Sequence, residues 1–70
     1  MELSARNQIP ATVKSVKIDV VMAEVVVTLD GGQELVSVIT TSSAQRLGLS
    51  EGKRVTVVVK STEVMLAAGE

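Results

Sequence analysis

The 70-residue chain has no Phe, Trp or Tyr, no Cys and no His, and a single Pro. Without aromatic rings its core must be filled by Val, Ile, Leu, Met and Ala, which bury less area than a ring. A short chain also buries a smaller fraction of its surface than a long one. Small domains offset this with a disulfide or a structural zinc, and the residues for both are missing here. Self-association is the remaining way to cover apolar surface, so a homo-oligomer is expected. The same absences restrict chemistry. There is no imidazole base, no thiolate nucleophile and no soft ligand set for a directly bound metal. The carboxylates Asp19, Glu24, Asp30, Glu34, Glu51 and Glu63 are scattered singly, without the paired spacing of acid–base catalysis or a hard-cation cage. The sequence therefore argues against an enzyme and offers no catalytic residue. Binding of single-stranded nucleic acid would call for rings in a basic groove, but Lys plus Arg number 7 against 8 Asp plus Glu, for a net charge of -1. No apolar run is long enough to span a bilayer, and Met1–Ser4 does not resemble a leader. The expected setting is the cytoplasm, with neither nucleic acid nor membrane as partner.

What is present is mostly β pattern. Ser4–Gln8 is polar and runs into Ile9–Pro10, where proline favours an extended predecessor; this predicts an extended arm or the start of an edge strand. From Ala11 to about Asp19, Val13, Val16 and Ile18 follow period two with one extra residue, which predicts a β-bulge near Lys14–Ser15. A second strand ends at Leu29 with Ala23, Val25, Val27 and Leu29 on one face, and Asp30–Gln33 is a hairpin turn. A third runs from Glu34 to about Thr40. A short helix over Ala44–Leu47 should stop at Gly48, with Leu49 as the apolar contact of a Schellman ending. After a turn at Ser50–Lys53 come a fourth strand, Arg54–Lys60, with Val55, Val57 and Val59 on one face, and a fifth from about Thr62 to Leu66. Three strands, a short helix and two strands is the element order of a five-stranded Greek-key barrel of the OB-fold type. Met22, Val26, Leu35 or Val36, and Val58 fall on the faces opposite the core, where they suit a subunit interface.

The run Thr40–Thr41–Ser42–Ser43 stands immediately before the helix. Such hydroxyls cap free backbone N–H groups and commonly do nothing more, yet a helix start is also suited to an oxyanion. With Ser4 and Arg6 at one end of the chain and Lys60 near the other, they form a set of donors without a carboxylate. That is what a fully ionised tetrahedral dianion needs, because it only accepts hydrogen bonds.

Ser4-Ala5-Arg6-Asn7-Gln8, Val13-Lys14-Ser15-Val16, Met22-Ala23-Glu24-Val25, Val36-Ser37-Val38-Ile39-Thr40, Leu47-Gly48-Leu49 and Lys60-Ser61-Thr62-Glu63-Val64 together resemble the molbindins, small cytoplasmic molybdate-binding proteins of the Mop, or TOBE, module. The resemblance covers about Ser4 to Met65 and implies one such domain over residues 1–70. It further implies an OB-like barrel that exchanges strands with a partner, dimers arranged as a hexamer, and molybdate or tungstate held at subunit interfaces. The implied ligand set is Ser4 and Arg6, the hydroxyls around Thr40 and Ser43, and Lys60, assisted by backbone N–H groups near Ala5 and Ser42. Ala11 departs from the glycine usual in relatives at this point. The expected function is storage of the oxyanion without chemical change. The alternative is an oxyanion-sensing or assembly module that acts through a protein partner.

Overall fold

A computed structural model describes residues 2–69. Four strands, β1 (Asn7–Ile18), β2 (Met22–Leu29), β3 (Glu34–Thr40) and β4 (Arg54–Val59), form one antiparallel sheet in the order β3-β2-β1-β4, with helix α1 (Thr41–Arg46) after β3. The bulge predicted near Lys14–Ser15 is present: Val13 pairs with Val27 and Ser15 with Val26, so Lys14 is the additional residue. The Ser50–Lys53 turn fills the gap in the ladder there. Val13 N–H donates to Lys53 O at 2.9 Å, and Gly52 N–H donates to Val13 O at 2.8 Å. β1 therefore changes neighbours along its length, pairing with β4 over Asn7–Thr12 and with β2 over Ala11–Ile18. This switch at a bulge curls the sheet.

β1 begins earlier than the period-two pattern implied, because β4 gives Asn7–Pro10 an edge to pair with. Of the two readings the sequence left open there, arm or strand start, the structure shows the strand. Pro10 is compatible with it for a directional reason. Val13 N–H faces the β4 side, and alternation turns the Pro10 nitrogen to the other side, where β2 has not yet begun. Ala11 is paired on both sides, with Leu29 and with Val55, and is completely buried. Only a small side chain fits at that crossing.

Ala23, Val25 and Val27 are buried as their alternation predicts, and with Ala11, Val13 and Ala44 they make up the fully buried apolar set. Val55 and Val57 pack against it half-buried. Ile18, read as inward-facing, is 54% exposed because the sheet ends beside it. The Asp30–Gln33 hairpin closes through Leu29 N–H to Gln33 O at 2.7 Å, and Gly32 takes the positive φ (100°) that the turn requires.

The expected fifth strand is not formed in the single chain. Ser61–Glu63 is a 3-10 turn, and Val64–Leu66 follow without a ladder, Met65 and Leu66 being 91% and 93% exposed. An apolar segment becomes a strand only where an edge receives it, and the chain does not fold this one back onto its own sheet. Nor do β3 and β4 pair to close a barrel. Between their edges lies an apolar groove of about 380 Å³ lined by residues such as Leu35, Ile39, Val57 and Val59. Among the described residues, 6 apolar side chains are buried while 13 large ones are exposed, so more large apolar side chains face outward than the chain's own fold covers fully.

Candidate functional site

The hydroxyl run sits at the junction of β3 and α1. Thr40 is the N-cap (φ -68°, ψ 148°), and its Oγ1 accepts from Ser43 N–H at 3.1 Å. Thr40 Oγ1 also donates to Ser43 Oγ at 2.8 Å and lies 3.3 Å from Ser42 Oγ. Thr41 turns the other way: its hydroxyl donates to Asp19 O and its N–H to Val21 O, both at 2.7 Å, tying the helix start to the β1–β2 turn. Ala44, 3% exposed, anchors the helix to the sheet. The predicted Schellman ending is present, with Gly48 N–H to Gln45 O at 3.0 Å, Leu49 N–H to Ala44 O at 3.1 Å and Gly48 at φ 64°. The helix is longer at its start than expected, because Thr41–Ser43 form its first turn. Thr40 thus serves as the cap, with Ser42 and Ser43 in the first turn behind it, and Thr40 and Ser42 remain exposed at the surface.

Ser4, Ala5, Arg6 and Lys60 lie elsewhere. Asn7 pairs with Val59, and continuing that register by one step sets Arg6 across from Lys60, beyond the end of the ladder. Both are exposed, and neither side chain makes a hydrogen bond or ion pair among the described residues. The backbone before them is held by Gln8, whose Nε2 donates to Ala5 O at 2.7 Å.

The two groups occupy opposite ends of β1. Asn7 opens the strand beside Val59. Ile18 closes it beside Ala23, next to the Met22–Thr40 pair. At about 3.3 Å per residue, a strand of this length separates its ends by roughly 36 Å of contour. The residues read from the sequence as one donor set are therefore two half-sets, cationic at one end and hydroxylic at the other. Among the described residues the ion pairs lie between the two ends of β1, away from both. Lys14 meets Glu34. Arg54 holds Asp30 through two bonds of 2.7 and 3.1 Å and donates to Thr12 Oγ1 at 2.9 Å. The guanidinium lowers the Asp30 carboxyl below its ordinary value, chiefly through these hydrogen bonds.

Gln8 and Arg46 had no role in the reading of the sequence, and Thr41, read there with the donor hydroxyls, instead spends its hydroxyl on Asp19 O. Arg46 was legible from spacing alone, since it stands three residues after Ser43 on a helix, where side chains meet. Gln8 and Thr41 act on backbone carbonyls at positions that no local pattern marks.

The family model described as the TOBE domain matches residues 3–66. Molybdenum-pterin-binding protein 2 of Clostridium pasteurianum is 47% identical over 68 residues, spanning 97% of this chain and all of that protein. The molybdate-binding protein from Sporomusa ovata superposes with a TM-score of 0.91 at 41% identity, covering 97% of this chain and 100% of its own. The cytoplasmic molybdate-binding protein ModG, in a form with molybdate bound, superposes at 0.82 with 40% identity over 94% of this chain and 53% of its own. The curled antiparallel sheet with one short helix is thus a shared fold. The chain belongs to the TOBE-domain family, and within it to the molbindins whose motifs it carries.

Proposed function

We propose that this chain, as a single TOBE-type domain, binds molybdate, and tungstate with it, at interfaces between its own copies. The observation that carries this reading is the division of the donor set between the two ends of β1. In a second copy placed so that opposite ends meet, Ser4, the Ala5 N–H, Arg6 and Lys60 of one chain face Thr40, Ser42 and Ser43 of the other. Arg6 and Lys60 then offset the dianion's charge, and the hydroxyls and N–H groups fix its orientation. Support for the assembly comes from the uncovered apolar surface and the open groove between β3 and β4. Val64–Leu66 of a neighbour fits that groove as the missing strand, by strand exchange. A hexamer of three dimers, located in the cytoplasm and storing the oxyanion, is the form we assign. Relatives named for molybdate binding support the ligand.

The test is calorimetry of the purified protein against molybdate, tungstate and sulfate, followed by mixing of two weakened variants. Arg6→Ala/Lys60→Ala chains and Ser42→Ala/Ser43→Ala chains, each weakened alone, should form intact interfaces when mixed after dissociation and recover part of the molybdate binding. A mixture that binds no better than its components, or a folded monomer that binds fully by itself, overturns the shared site. If the monomer instead captures a cellular protein only when molybdate is present, the sensing or assembly alternative takes its place.

A further inference from the structure

α1 ends in Arg46, the basic residue of its last turn. A cation there suits the negative end of the helix dipole, but the side chain reaches back: Nη2 donates to Ser43 Oγ at 2.9 Å. Ser43 Oγ also accepts from Thr40 Oγ1 at 2.8 Å. A serine hydroxyl has two lone pairs and one proton, and a guanidinium has donors only. With one lone pair given to Arg46 and the other to Thr40, the remaining capacity of Ser43 is its proton. A neutral hydroxyl with open lone pairs can rotate between donating and accepting; this one is held as a donor. Arg46 also brings a cation to the hydroxyl side of the proposed interface.

We infer that Arg46 is a positioning residue that locks Ser43 as a donor and so selects a fully ionised dianion over one that retains a proton. This rests on the site reading given above and deepens it. Molybdate, tungstate and sulfate at neutral pH carry no proton, so every contact is a donor from the protein to an oxygen. Hydrogen phosphate carries one P–O–H group that needs an acceptor; the Ser43 contact offers none, so an orientation that turns the proton there leaves it unpaired, and it is confined to less constrained hydroxyls such as Ser4 or Ser42. Such a mismatch discriminates more strongly than a missing contact, because a polar group is desolvated and left unpaired. Sulfate and hydrogen phosphate are nearly the same size, so comparing them isolates the proton.

The experiment displaces bound molybdate with sulfate and with phosphate, at a mildly alkaline pH where phosphate is mostly the monoprotonated dianion. In the unaltered protein sulfate should displace at the lower concentration. Arg46→Ala should weaken molybdate roughly tenfold, on the scale of a hydrogen bond to a charged group, and should narrow the sulfate-to-phosphate ratio severalfold. Arg46→Lys, which keeps the charge at the helix end but loses the planar fork, should restore thermal stability and only part of the ratio. In Ser43→Ala, adding Arg46→Ala should leave the ratio where it is, since the hydroxyl that Arg46 orients has gone. Equal weakening of sulfate and phosphate in Arg46→Ala, or a ratio change that persists without the Ser43 hydroxyl, overturns the inference. Arg6→Ala and Lys60→Ala are measured beside it. If they bind molybdate normally, the site reading is at fault; if they lose it while the Arg46→Ala ratio stands unchanged, only the role of Arg46 is.

Discussion

The two ends of β1 are built on opposite plans. At the hydroxyl end every proposed binding side chain is already engaged: Thr40 caps α1, Ser43 accepts from Thr40 and Arg46, and the neighbouring Thr41 is fastened to the β1–β2 turn. At the cationic end Arg6 and Lys60 extend from irregular backbone beyond the ladder, and only Gln8 braces the segment. One end is preorganised and bears part of the fold's stability, while the other contributes charge and little structure. A substitution should therefore weaken both folding and binding at the first end but binding alone at the second.

The largest effect is expected at the cationic end. Arg6→Ala or Lys60→Ala should weaken molybdate binding strongly, since bonds to charged groups contribute roughly 1.5–3 kcal/mol each, and assembly measured by light scattering should stay nearly unchanged. Lys14→Ala and Lys17→Ala are the controls, both exposed on β1 and outside the proposed donor set, with Lys14 at the bulge and Lys17 one residue from the hydroxyl end of the strand. They should alter little beyond a salt-sensitive association rate. Loss of binding in Lys14→Ala or Lys17→Ala with retention in Lys60→Ala would place the site on another face and dissolve the contrast between the two ends.

A smaller but more diagnostic effect is expected at the hydroxyl end. Thr40→Ala removes the N-cap acceptor and should cost about 0.5–2 kcal/mol of stability, visible in denaturant unfolding without any ligand. Ser43→Ala leaves the cap oxygen in place and should cost binding about 0.5–1.5 kcal/mol, the contribution of one neutral hydrogen bond. If Thr40→Ala leaves the unliganded protein as stable as before, the cap is not a structural element and the two ends are more alike than their geometry implies.

Much of this was legible in the sequence where a local rule governs. The period-two slip located the bulge at Lys14, Gly31–Gly32 marked the hairpin, and Gly48–Leu49 gave the Schellman ending. The chemistry of the donor set was legible too, because residue types suffice for it. What escaped or stayed open depends on partners distant in the sequence. Asn7–Pro10 is strand because β4 lies beside it, and Val64–Leu66 lacks a ladder because nothing in the same chain receives it. The splitting of the donor set follows from strand order, since an antiparallel β3-β2-β1-β4 sheet puts Thr40 and Lys60 at opposite ends of β1. No spacing along the chain records that.

The smallest expected effect lies between the two ends, where Arg54 bridges Asp30 at the β2–β3 hairpin and Thr12 on β1. The pair is exposed, with 59% and 55% of the two side chains accessible, so water and salt weaken it. Its sign is nonetheless defined. The Arg54 hydrogen bonds hold the Asp30 carboxyl below its ordinary value in the folded chain. Its contribution is therefore complete above the unfolded value, near pH 4, and is lost as pH falls through the lowered folded value. Thermal melts at decreasing pH should show a slight acid destabilisation that Asp30→Asn removes and added salt reduces. Because the pair joins the hairpin to β1 and touches neither half of the proposed site, the same variant should bind molybdate as the unaltered protein does at neutral pH. An Asp30→Asn chain with impaired binding would mean that the middle of the sheet transmits strain to one of its ends, and the two ends could then no longer be treated as independent.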